Sequence, residues 1–210
     1  MYSHLRTTAD AHSPRAERQI GPSKGWEDPR MIKRIRVFLL LSLVIMVPTL
    51  AQDQKPAPTL KSVLLQQLRD THTNSNWFVC AKVAVAGVTP EQANWTDGKG
   101  NHSVGQLAYH IWFWNKRNLD QMNGVKLEKF SGNNDETFTK FDAKSWSETV
   151  QQLDAVLTEL EKVVENADEA KLQKIAPTIA NINAHNAYHI GEIVMVRKEQ
   201  GSWDPKKGVQ

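Results

Sequence analysis

Two histidines one helical turn apart, His185 and His189, sit inside the otherwise apolar and periodic stretch Asn181 to Gly201. At spacings of three and four residues, Ile182, His185, His189, Ile193 and Val196 share one face of a helix. That is the face a helix buries, so both imidazoles are expected to point into a core. A buried imidazole needs a hydrogen-bond partner or a metal for each ring nitrogen. A His-x-x-x-His pair on a helix sets two such nitrogens close enough to grip one ion. The same spacing also occurs in ordinary core or surface histidines, so the pair alone leaves both readings open.

The N-terminal part of the chain is of a different kind. Met1 to Arg30 is polar, rich in Arg, Ser and Pro, and has no apolar period, which suits a disordered extension or a start that truly lies at Met31. From Met31 the sequence looks like an export signal. Lys33, Arg34 and Arg36 form a basic start, Val37 to Leu50 an apolar run, and Thr49-Leu50-Ala51 a small-residue cleavage site. The run is shorter than the ~20 residues that span a bilayer, so a signal peptide over residues 31–51 is expected rather than a stable anchor. The mature chain is expected to begin at Gln52 and to be secreted or periplasmic.

Removing this leader changes the charge argument. Eight of the 26 Lys and Arg residues and four of the 23 Asp and Glu residues precede Gln52, which leaves 18 basic and 19 acidic side chains. A nearly neutral domain has no electrostatic footprint for nucleic acid. A single cysteine, Cys80, excludes an internal disulfide. The fold must therefore stand on packing, with or without a metal. The expected partners are a small-molecule substrate and a second copy in a homodimer.

Four helices are expected after a short linker over residues 52–58. Thr59 is an N-cap, and Leu60, Leu64, Leu68, Thr71, Phe78 and Val85 mark a first helical stripe that ends at Gly87. Thr89-Pro90-Glu91-Gln92 reads as a capping box with a short helix or turn behind it, leading to Trp95. Asp97 to Asn101 breaks the chain. Ser103 to Gln106 is a second capping box, and Val104, Leu107, His110, Ile111 and Trp114 lie on one face of a helix that runs to about Met122, with Gly124 as its stop. Val125 to Lys144 has no period and reads as a long connection. Ser145 and Glu148 form a third capping box ahead of Trp146, Val150, Leu153, Leu157, Leu160 and Val164. A polar link, Asp168 to Lys174, and Pro177 precede the last helix, expected from about Thr178 to Gln200. No run reads as a strand. The expected class is all-α, a four-helix bundle over residues 59–203 with a tail over 204–210.

A bundle turns the histidine faces of its second and fourth helices toward a common core, which brings His110 toward His185 and His189. Three imidazoles leave a metal's coordination sphere open for water or substrate, as catalytic rather than closed structural sites do. Imidazole suits zinc, nickel, iron and copper, with zinc and nickel foremost, and water bound to such an ion is acidified toward neutral pH. His72 at the edge of the first stripe and His102 beside a cap read as ordinary polar residues. Tyr109, Tyr188, Trp112 and Trp114 read first as packing aromatics, and Cys80 as a small apolar residue of the first helix.

The run His185-Asn186-Ala187-Tyr188-His189-Ile190-Gly191-Glu192-Ile193, continuing to Arg197 and Gly201-Ser202-Trp203, resembles the last helix of the DinB-like superfamily of metal-binding four-helix bundles, which includes the YfiT-type hydrolases. Ser103 to Ile111 is similar to that family's second helix, and Gly87 to Gln92 to its turn after the first. The resemblance implies that His110, His185 and His189 ligate a divalent transition metal. It leaves Glu192, where many members carry glutamine, to orient a ligand, to join the coordination or to accept a proton. The alternative for Glu192 is an ion pair with Arg197 or Lys198. The implied activity is hydrolysis by a metal-bound water, with Glu192 as the catalytic carboxylate. A metal-dependent thiol S-transferase and a non-catalytic metal-binding bundle are the other two readings.

Overall fold

The computed structural model describes residues 56–139 and 141–209; the expected leader over residues 31–51 lies outside them. Among the described residues there are seven α-helices, two 3-10 turns and no strand.

The first helix, α1, spans Leu60–His72 and opens on a true capping box, in which Thr59 and Ser62 each accept the other's backbone N–H. It stops far short of Gly87. The Thr73-Asn74-Ser75-Asn76 run offers side chains that compete for backbone bonds, and the N–H groups of Thr73 and Asn74 both close on the Arg69 carbonyl. The single helix expected here is therefore two, with α2 at Ala81–Val85. Phe78 lies off the stripe and is exposed, and Cys80 is not in α1 but is the buried N-cap of α2. Next, α3 (Pro90–Asn94) starts on the expected Thr89–Gln92 box.

Helix α4 covers Val104–Met122 behind the Ser103–Gln106 box, and Gly124 ends it at φ +82°, a conformation that costs glycine little. The stretch after it is less irregular than its sequence suggests. It contains α5 (Glu136–Thr139) and a 3-10 turn at Ala143–Ser145, and the Phe141 ring lies directly on Gly105, where any side chain would collide. Helix α6 (Trp146–Glu165) carries the predicted apolar stripe, but its third capping box does not form. Ser145 caps nothing with its side chain; its hydroxyl donates to the Asp142 carbonyl, and Glu148 accepts from Gln152 instead.

The last helix is longer than expected. Helix α7 runs Glu169–Glu199, capped by Asp168, and passes through Pro177. An interior proline costs about 3 kcal/mol. Leu172, Ile175, Ile179 and Ile182 keep one buried stripe across it, and each such side chain gains roughly 1.5–3 kcal/mol by burial, so the packing outweighs the break. Pro177 and Gln173, whose carbonyl loses its intrahelical partner, are both exposed to water.

The long helices close on one another in pairs: α4 packs on α6 and α7, and α1 packs on the same two. Leu68, Leu107, Ile111, Leu157, Leu160, Ile179, Ile190 and Ile193 are fully buried between them. No helix of the described residues is long and apolar enough to cross a membrane.

Candidate metal centre

Helices α4 and α7 are fixed against each other by a buried amide pair that the sequence did not single out. Asn115 Nδ2 donates to Asn186 Oδ1 at 2.7 Å and Asn186 Nδ2 returns a bond to Asn115 Oδ1 at 3.3 Å. Both residues are buried, and a buried amide left unmatched would cost about 1–3 kcal/mol, so this pair sets which turn of α4 faces which turn of α7. The result places His110 opposite His185 and His189. One ligand nitrogen from each of the three lies within 4.8 Å of the others, and no further residue joins this cluster among the described residues. His110 Nε2 is 3.1 Å from His185 Nε2. His110 and His189 are buried and His185 is half-buried.

The proton positions follow from the partners. Thr137, on α5, is buried; its hydroxyl donates to the Asn134 carbonyl at 2.6 Å. That uses its only proton, so it can only accept from His110 Nδ1, 2.5 Å away. His110 is thereby held with its proton on Nδ1 and a lone pair on Nε2. His189 is held the same way, because its Nδ1 lies 2.6 Å from the Glu192 carboxylate, which accepts. His110 thus turns a bare Nε2 toward His185, and tying His189 at Nδ1 leaves its Nε2 as the nitrogen a metal would take, as second-shell partners of metal ligands generally arrange.

Burial, together with the neighbouring imidazoles, pushes His110 down to about 3 and His185 to about 4. Both are neutral at pH 7 and able to lend lone pairs. The Phe138 ring stacks on His110 at 3.9 Å between centroids and on His102 at 3.7 Å. His102 is therefore part of the wall behind His110, rather than an ordinary polar residue beside a cap. Thr137 and Phe138 lie in the stretch that sequence periodicity left as connection. The only signal there was the Asn-Asn-Asp run at 133–135, which caps turns.

Glu192 pairs with His189 and not with Arg197. The Arg197 guanidinium is buried and donates to the carbonyls of Ala84 at 2.7 Å and Ser202 at 2.9 Å, so it ties the end of α2 to the chain after α7. A hydrogen bond to Glu192 and the carboxylate's charge push the exposed Tyr188 phenol up. His72 is also not the ordinary edge residue expected. It is buried, with Nδ1 2.7 Å from Glu161 and Nε2 3.0 Å from Asp154, and it takes no part in the histidine cluster.

The cluster opens on a cleft of about 560 Å³, within the usual range for small-molecule sites. Beyond the histidines and Asn115 it is walled by Trp114, Asn118, Asn134, Thr178, Asn181 and Ile182.

A family model described as the DinB superfamily matches residues 81–193, just over half the chain, and the match includes His110, His185, His189 and Glu192. No curated protein and no solved structure matches it.

Proposed function

The chain belongs to the DinB superfamily, and from that premise we propose that it is an exported metal-dependent hydrolase built on a four-helix bundle of α1, α4, α6 and α7. The observation that carries this reading is the convergence of the three histidines, with Thr137 and Glu192 each holding one nitrogen, Nδ1, of His110 and of His189. Such a donor set fits a divalent transition ion. Three neutral nitrogens suit zinc or nickel and leave coordination positions open. An ion there supplies a Lewis-acid centre that brings the pKa of a bound water toward neutrality.

The remaining work falls to the chain. The Asn115–Asn186 pair keeps the ligand helices in step, the cleft takes the substrate, and Phe138 with Thr137 closes the side behind His110. Glu192 sits on Nδ1 of His189, so in this reading it acts by orienting and polarising that ring. A purely structural site is disfavoured because the cluster faces a cleft of substrate size. Export rests on the basic start, apolar run and Ala51 cleavage site over residues 31–51.

The test begins with elemental analysis of purified protein starting at Gln52, where about one divalent ion per chain is expected. Ester and amide substrates are then offered before chelation, after chelation and after metal return. Activity should vanish and come back. In Glu192→Gln the metal should remain and turnover should fall about 10- to 100-fold. Hydrolysis that survives complete metal removal would defeat the proposal. The mass of the protein recovered from its host should place its N-terminus near Gln52; a chain still carrying residues 31–51 would refute export.

A further inference from the structure

The wall of the cleft has a polarity that can be fixed atom by atom. Asn118 gives its Nδ2 to the backbone carbonyl of Trp114 at 2.8 Å. A carbonyl only accepts, so the orientation of the amide is settled and its Oδ1 is the pole left over. Asn134 takes the indole N–H of the same Trp114 on its Oδ1 at 3.2 Å. An indole N–H only donates, so here the remaining pole is Nδ2. Flipping either amide would set donor on donor or acceptor on acceptor. Both side chains line the cleft, and none of the described residues on its wall carries a fixed charge. Charged side chains come in only outside the cleft, Lys171, Lys174 and Asp168 past Asn118 and Thr178, and Arg117, Lys126, Glu128 and Lys129 past Trp114 and Asn118.

We infer that the substrate carries, next to the group that reaches the histidines, an uncharged donor–acceptor group of the carboxamide or ureido class. Its carbonyl accepts from Asn134 Nδ2 and its N–H donates to Asn118 Oδ1. A carboxylate has no proton for Asn118, and an ammonium has no lone pair for Asn134. A site built to bond a polar group discriminates strongly against one that leaves a pole unmatched. The inference rests on the metal-enzyme reading above, and it names Asn118 and Asn134 as the residues that set specificity.

Three hydroxamates with the same four-carbon body, ending in a carboxamide, a carboxylate or an ammonium, separate the inference from that reading. The shared head anchors on the metal and only the end group reads the wall. The charge of the bound head and that of Glu192 offset the two charges of the ion, so the end group meets little net field. Calorimetry on the metal-loaded protein should show the carboxamide-ended probe binding about tenfold more tightly than either charged one. Asn134→Asp keeps an oxygen for the Trp114 indole but turns the donor pole into an anionic acceptor. Asn134 is exposed, so the variant is expected to fold, and its preference should move to the ammonium-ended probe by about tenfold.

Equal affinities for the three probes, or a preference for either charged one, would overturn the inference and leave the metal reading in place. An Asn134→Asp variant with unchanged preferences would also overturn it. Protein that carries its metal and yet binds none of the three defeats both ideas, because then no open position exists for the head.

Discussion

Two buried histidine environments in this molecule use their ring nitrogens differently. His72 on α1 commits both, to Glu161 and Asp154 on α6. His110 and His189 commit Nδ1, to Thr137 and Glu192, and keep Nε2 as the nitrogen a metal would take in the cluster with His185. His72 is buried to an extent between the two, so burial does not distinguish a ligand from a structural histidine. The partners do. A ring with carboxylates at both nitrogens has no lone pair turned toward anything else, and it serves to hold α1 on α6. A ring with one tethered nitrogen is pre-oriented to lend the other.

The strongest way to break this contrast is to remove ligands. A His185→Ala and His189→Ala double variant leaves His110 alone in the cluster, and a lone imidazole does not hold a divalent ion against a chelator. Chelator competition should show metal affinity falling by more than about a thousandfold. Retention of the metal by the double variant would mean that the triad is not the site.

Acid sharpens the contrast next. In the metal-free protein His110 is lowered to about 3 and His185 to about 4, whereas both sit near 6.5 once unfolded. Between those values the unfolded chain binds protons that the folded chain refuses, so stability falls as pH drops. The loss should begin near pH 6.5, deepen toward pH 4 and level off near pH 3. Melting curves of the metal-free protein from pH 7 to 5, above the range of ordinary carboxylates, read this part of the slope. Replacing His110 and His185 with leucine should flatten it. An unchanged slope in that variant would place the titrating groups elsewhere.

Much of this was legible in the sequence. The three histidines, the helical class, and the boxes at Thr89 and Ser103 are written in local patterns of three and four residues, which a helix converts directly into faces and caps. What the sequence did not disclose depends on distant partners. Thr137 lies in a helix of four residues, too short to show a period, and its value comes from His110, which is 27 positions away. The carboxylates of His72 come from 82 and 89 positions away. Pro177 and the break after His72 are local signals whose outcome was decided by packing: the proline lost to a buried stripe, while the polar run at 73–76 had no such stripe to hold it in a helix.

Thr137→Val is the finer probe of the tethered ring. Valine matches threonine in shape but cannot accept from His110 Nδ1, so the ring loses what fixes its tautomer. Removal of a second-shell partner of this kind typically lowers metal affinity about 10- to 100-fold, and Thr137→Ser, which restores the hydroxyl, should recover most of it. A serine variant as weak as the valine one would show that Thr137 acts through packing alone.

The smallest effect on the metal is expected from His72→Ala, and it is the most direct check on the comparison. Metal affinity should stay within about twofold, because His72 has no nitrogen in the triad and its partners lie on α6. Stability should fall nonetheless. Leaving a buried hydrogen-bonding group without its partner costs about 1–3 kcal/mol, and two features limit the loss here. Asp154 is 58% exposed and water takes over its bond, while Glu161 keeps Arg69 at 3.4 Å. The expected cost is therefore about 2 kcal/mol, measured by denaturant unfolding of the metal-free protein so that mass action from the ion does not mask it. A stability loss with the metal untouched would keep the two environments separate. A tenfold drop in metal affinity would instead show that α1 and α6 help to hold the triad, and the division between a tethered and a fully committed histidine would no longer describe what each does.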